Sequence, residues 1–275
     1  MQLQPPGFAG TVFLLANREL GARLRSPWLY AVASLICLIA FFYGGGFRRS
    51  FETETVLVTT DPLAALNVMV MAVLAGVLGL RLATSIAWER EHRTLEVLLA
   101  GPVSPEAILA AKFAGEIVVL AMLTVTHIAY LLLAQPLGPG VIGPADAAAI
   151  GRMPLHALPL LALGLLVSAW AKTVRGAVMA YLSILALLIV HEIVLAALTA
   201  QSPQDLSLAG AWVRRILTAA DTVIDPLSAV ARIADLTTGL SVQTPLTPAQ
   251  TGMALALTAA TLAAAALALR ARGAS

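Results

Sequence analysis

Six stretches of about 20 residues, each nearly free of charge, follow one another along this chain of 275 residues. A run of that length and character can cross the roughly 30 Å hydrocarbon core of a bilayer as a helix. The stretches fall at 27–44, 62–88, 107–135, 153–171, 176–200 and 250–269. Isolated strands cannot cross lipid without closing a barrel, so the expected fold is all-α, a polytopic membrane protein with one transmembrane domain over 1–275. Apolar residues make up 59% of the chain and charged residues 12%, about half the charged share of soluble proteins. That excludes a soluble enzyme, a secreted disulfide scaffold and a nucleic-acid-binding domain. One cysteine, Cys37, supports neither a disulfide framework nor a Cys-based metal motif.

The segments between the spans carry the remaining information. Residues 7–25 mix Phe8, Val12, Leu15, Leu20 and Leu24 with Arg18, Glu19, Arg23 and Arg25, which reads as an amphipathic helix lying in the membrane interface. Ser26-Pro27 then caps and opens the first span, and Gly44-Gly45-Gly46 is expected to end it. With the N-terminus inside, eleven Lys and Arg fall on the cytoplasmic side and six on the other, which places both termini in the cytoplasm. The start MQLQPP lacks a basic region and a cleavage site, so it reads as retained rather than as a signal peptide.

Between the second and third spans, Glu89, Arg90, Glu91, His92, Arg93 and Glu96 place six titratable residues within eight positions. Leu95, Val97, Leu98 and Leu99 follow, Gly101-Pro102 stops the helix, and Ser104-Pro105-Glu106 starts another. Residues 89–101 therefore read as a short charged helix held between two spans: either an ordinary solvated loop or a rigid docking element.

The sequence WEREHRTLEVLLAGPVSPEAILAAKF resembles the hallmark segment of ABC-2 type permeases, the membrane subunits of one large class of ABC exporters. The resemblance rests on the acidic-basic cluster Glu89 to Arg93, on Thr94-Leu95-Glu96, on Leu98-Leu99 and on Pro102-Val103-Ser104. A Gly often precedes the Thr in that family, where this chain has Arg93. RELGARLRSPWLY near the N-terminus is similar to another family signature, an Arg-Glu pair followed by Ser-Pro and an aromatic. The resemblance implies that Glu89, Arg90, Glu91, Arg93, Thr94, Leu95 and Glu96 couple the spans to a dimer of a separate ATPase subunit. It implies ATP-driven export, with a homodimer of this subunit in a bacterial-type inner membrane. Family examples serving gliding motility or nitrous-oxide-reductase maturation imply an alternative, in which work passes to an extracytoplasmic accessory protein without solute transport. No GxxxxGK[ST] stretch is present, so ATP and Mg²⁺ belong to the partner and this chain is expected to carry no cofactor and no enzyme activity.

Charges inside apolar spans are costly and mark partners or pathways. Lys112 and Glu116, four apart, are expected to form a structural ion pair. His127, His156, His191 and Glu192 fall at similar depth in the outer half of the bilayer and are candidates for an exit pathway or proton relay. The alternative is separate structural bonds for each. His191-Glu192 resembles the start of a zinc HExxH signature, but position 195 is Leu, so no metal is expected. An intramembrane enzyme lacks support for the same reason, and no GxSx motif lies beside a histidine. Residues 205–245, broken by Pro226, alternate apolar Trp212, Ile216, Leu227, Val230 and Ile233 with Arg214, Arg215, Asp221, Asp225, Arg232 and Asp235. They read as two amphipathic helices, and the resemblance makes them an extracytoplasmic gate. Small residues such as Gly76 and Gly79 are expected to let helices approach closely.

Overall fold

The computed structural model describes residues 7–52, 62–101, 103–134, 150–151, 153–201, 207–224 and 248–273. The described residues form helices and no strand. They are α1 Phe8–Leu24, α2 Pro27–Glu52, α3 Pro62–Glu91, α4 Thr94–Ala100, α5 Pro105–Ala134, α6 Pro154–Trp170, α7 Val174–Thr199, α8 Leu208–Ile224 and α9 Pro248–Gly273. The all-α reading is thus the observed architecture.

Proline sets most of the helix starts. α2, α3, α5, α6 and α9 each begin on a proline, whose missing N–H costs nothing in the first turn and whose φ is already helical. Hydroxyl caps reinforce several starts: Ser104 Oγ accepts from the Ala107 N–H at 3.2 Å and Thr173 Oγ1 from the Gly176 N–H at 3.1 Å. Gly44-Gly45-Gly46 does not end α2, which runs on to Glu52. Glycine weakens a helix by about 0.5–1 kcal/mol per residue but, unlike proline, removes no hydrogen bond.

Among the described residues, four helical segments are long and apolar enough to cross a membrane: Leu66–Glu91, Pro105–Leu133, Val174–Thr199 and Pro248–Ala271. α1 and the Pro27–Phe42 part of α2 pass that test together but bend by 67° at Ser26-Pro27. Proline restricts the residue before it to extended conformations, so the helix breaks there. α6 is a shorter apolar helix. The protein is therefore multi-pass, with up to five spans by length and composition among the described residues.

The short helix lies at the centre. α3 packs along one side of α6 and α9 along another, with α5 and α7 flanking them. Leu74, Leu78, Leu82 and Ile86 form a fully buried stripe on α3 at helical spacing, facing Leu160, Leu161 and Leu165 of α6. α6 is buried nearly all round, which explains a sequence that is apolar on every side apart from His156 and Ser168. The α3–α6 crossing is made by glycine: a Cβ on Gly164 would stand 2.2 Å from the Gly79 carbonyl oxygen. Close approach at Gly79 was legible in the sequence; its partner Gly164 was not. Ser168 adds a polar tie, its Oγ accepting from the Ile86 and Ala87 N–H groups of α3 at 2.9 and 3.1 Å.

α1 forms the helix expected over residues 7–25. It exposes Phe8, Phe13 and Leu14 and buries Arg23 against α5, because the buried partner of that arginine is an acid. Of the gate expected over 205–245, α8 is described. Asp225, Pro226, Leu227, Val230, Arg232, Ile233 and Asp235 lie outside the described residues.

Candidate functional site

The charged segment from Glu89 to Glu96 forms a folded elbow where α3 gives way to α4. α3 continues through Glu91 and ends in a turn at His92 and Arg93, and a seven-residue helix, α4, follows. The single helix expected over 89–101 is thus divided. Arg93 makes the division, with φ 59° and ψ 13°, the left-handed conformation. Glycine adopts that conformation without a Cβ penalty. Arg93 bears that penalty at the position where the resemblance would place Gly.

Each residue of Thr94-Leu95-Glu96 has a distinct place. Thr94 Oγ1 donates to the Glu89 carbonyl at 3.1 Å, satisfying one of the unpaired acceptors at the end of α3. Leu95 is the buried anchor of α4, 4% exposed, in the main apolar core. Glu96 faces solvent within the first turn of α4, where a negative charge suits the helix dipole. Around them Trp88, His92, Arg93 and Val97 are exposed, and the His92 ring stacks on Trp88 at 4.2 Å between centroids.

The remaining charges bond to neighbouring helices, Glu89 and Arg90 from partly buried positions and Glu91 from an exposed one. Arg90 donates from Nη2 to the Ala169 carbonyl at 3.1 Å and from Nη1 to the Ala171 carbonyl, at the C-terminal end of α6. Glu91 Oε2 accepts from the Val174 N–H at 3.0 Å, the first residue of α7. A cation at a helix C-terminus and an anion at a helix N-terminus are the arrangement the two dipoles favour. Together they grip both ends of the three-residue turn Ala171–Thr173.

Glu89 belongs to a third arrangement. Its Oε1 accepts from Lys112 Nζ at 2.7 Å, and Lys112 also lies 3.5 Å from Glu19 Oε1. Glu19 stands 3.7 Å from Arg23, and Arg23 bonds the fully buried Glu116. Lys112 and Glu116 therefore serve one network, but through Glu89, Glu19 and Arg23 rather than by pairing with each other. Arg81 sits beside it with its guanidinium 4.4 Å from the Trp28 ring centroid, tying α3 to α2. Three helices, α1, α3 and α5, are joined by this chain of charges. Its members are spread too widely in sequence to be predicted as partners, apart from the Glu19–Arg23 spacing.

The four pathway candidates do not form one site. His127 is buried and its Nε2 lies 2.9 Å from Asn67 Oδ1 on α3. His156 is buried near the start of α6. His191 and Glu192, late in α7, instead meet Asp221 of α8, with one ligand atom from each within 4.8 Å of the others. Asp221, expected to face water, lies half-buried there because α8 packs on α7 through the turn-spaced Gly210, Arg214, Leu217 and Asp221. Trp212 and Ile216 stay exposed on the opposite side of α8.

Comparison with known proteins bears on the family of the chain. A probable ABC transporter permease protein, NosY of Pseudomonas aeruginosa, is 29% identical over 116 residues, covering 41% of this chain and 41% of that protein. The alignment thus spans about two-fifths of the relative's length. The family profile described as ABC-2 family transporter protein matches residues 13–272, nearly the whole chain, and so the chain belongs to the ABC-2 transporter family.

Proposed function

We propose that this protein is the transmembrane permease subunit of an ABC exporter, driven by a pair of separate ATPase subunits that dock on the elbow around α4. The observation that carries the proposal is the two-sided character of the elbow. Its outer surface, Trp88, His92, Arg93, Glu96 and Val97, is exposed and mixes apolar with charged groups, as a protein-docking surface does. Its inner surface is fixed to the spans through Leu95, Glu89, Arg90 and Glu91.

In this reading both termini are cytoplasmic, six helices cross the inner membrane, and two copies of the chain pair about a two-fold axis. Closure of the ATPase pair on ATP presses α4. The short turn at Arg93 carries the push to the end of α3, and the grip of Arg90 and Glu91 passes it to α6 and α7. The spans then switch between two arrangements, as a ligand-driven equilibrium between states requires. α8 and the segment after it would guard the extracytoplasmic exit. ATP and Mg²⁺ remain with the partner, because this chain has no phosphate-binding GxxxxGK[ST] loop.

The test is co-purification from solubilised membranes with and without Glu96→Lys/Val97→Asp, followed by ATPase assay of the recovered complex. The expected result is a stoichiometric ATPase chain with the parent and at least tenfold less with the variant. Recovery of the parent without any ATPase chain, under conditions that keep other transporter complexes intact, refutes the proposal.

A further inference from the structure

We infer that His191, Glu192 and Asp221 form a binding site for a divalent cation of the zinc class, held between α7 and α8. His191 and Glu192 are adjacent on α7, with His191 Nδ1 4.0 Å from Glu192 Oε1, and Asp221 reaches them from α8. One donor atom from each of the three lies within 4.8 Å of the other two. The second observation concerns the imidazole. The His191 side chain is only 9% exposed, and neither of its ring nitrogens has a hydrogen-bond partner. Buried imidazoles normally bond through at least one nitrogen, and leaving such a group unmet costs its desolvation.

The donor set fits the cation. One neutral imidazole and two carboxylates supply the charge of −2 that balances a divalent ion, and nitrogen with oxygen donors suits zinc. Three protein ligands leave a fourth position for water or another ligand. Zinc takes ligand distances of about 2.0–2.2 Å, so each donor closes on the ion by less than about 1 Å, a small side-chain rotation. The spacing of ligands along one helix gave no sign of this site, because the third ligand comes from another helix. His191 lies about 26 Å along α7 from Val174, at the other end of the helix from the elbow. A cation there would fasten α8 to the far end of α7. The inference stands independently of the transport reading.

The experiment uses the full chain in detergent, stripped with a chelator and then titrated with zinc, with bound metal measured after desalting. The expected result is one saturable zinc per chain, and with cobalt(II) a visible absorption band of tetrahedral character. His191→Gln and Asp221→Asn should each weaken zinc by at least tenfold, while both still elute as folded protein. Absence of a saturable zinc site in the parent chain overturns the inference without reference to any variant. Undiminished binding in both variants overturns the ligand assignment.

Discussion

Replacing Gly164 by alanine tests the packing at the centre of the molecule, because two well-understood effects give opposite signs. Alanine is the better helix former, and Gly→Ala at a compatible helical site stabilises by about 0.4–1 kcal/mol. At Gly164 the added Cβ would stand 2.2 Å from the Gly79 oxygen, 3.1 Å from the Gly79 carbonyl carbon and 3.2 Å from the Ala83 nitrogen. All three are backbone atoms, so no rotamer change relieves the contact. α3 and α6 must separate by roughly 1 Å to restore ordinary packing distance. A gap of that size forfeits a quarter to a half of each dispersion contact between the facing leucines. Overpacking of this kind costs about 1–3 kcal/mol, which exceeds the propensity gain. The net expectation is a loss of about 1–2 kcal/mol, and at about 2–4 °C per kcal/mol the midpoint falls by roughly 2–8 °C. The assay is the loss of the monodisperse size-exclusion peak after heating in detergent. Gly252→Ala is the matched control, since its Cβ would meet nothing within 4 Å, and it should hold or raise the midpoint. A Gly164→Ala midpoint at or above the parent, with the control behaving as expected, refutes the close backbone crossing.

Arg93→Gly should raise stability by about 1 kcal/mol by relieving the left-handed strain, read in the same heating assay. Lys112→Met leaves Glu89 without its 2.7 Å partner in a half-buried site and should cost about 3–5 kcal/mol. The double variant with Glu89→Gln should recover much of that loss, so additive losses in the same heating assay would show that the pair is uncoupled. Glu91→Ala removes the acceptor for the first N–H of α7 and should cost about 0.5–1.5 kcal/mol. Faster amide exchange at Val174, with α9 unchanged, is the expected readout.

Much of the fold was legible because bilayer-length apolar runs and punctuation by proline are local signals. Ser26-Pro27 and Ser104-Pro105 are visible as helix starts, and Pro62, Pro154 and Pro248 carried the same information. Other features depend on the third dimension. α6 is too short to be distinguished by length, and only its burial on all sides shows that it is central. The elbow motif was visible as a cluster of charges, but sequence treats those charges alike. The fold leaves some of them facing solvent without a helix partner and has Glu89, Arg90 and Glu91 bond α5, α6 and α7. The meeting of Asp221 with His191 and Glu192 depends on the packing of α8, which no periodicity encodes.

The turn between α6 and α7 has a consequence for how this protein tolerates change. Short polar turns at the ends of spans are ordinarily the places where tags, extra residues or a protease nick do little harm. Ala171–Thr173 should behave otherwise, because its length is matched to the span between the Arg90 guanidinium and the Glu91 carboxylate on a neighbouring helix. One inserted residue would move either the Ala171 carbonyl or the Val174 N–H out of reach. Among sequence variants of this chain, length at 171–173 should be held fixed even where residue identity drifts, so this plain three-residue turn is closed to insertion.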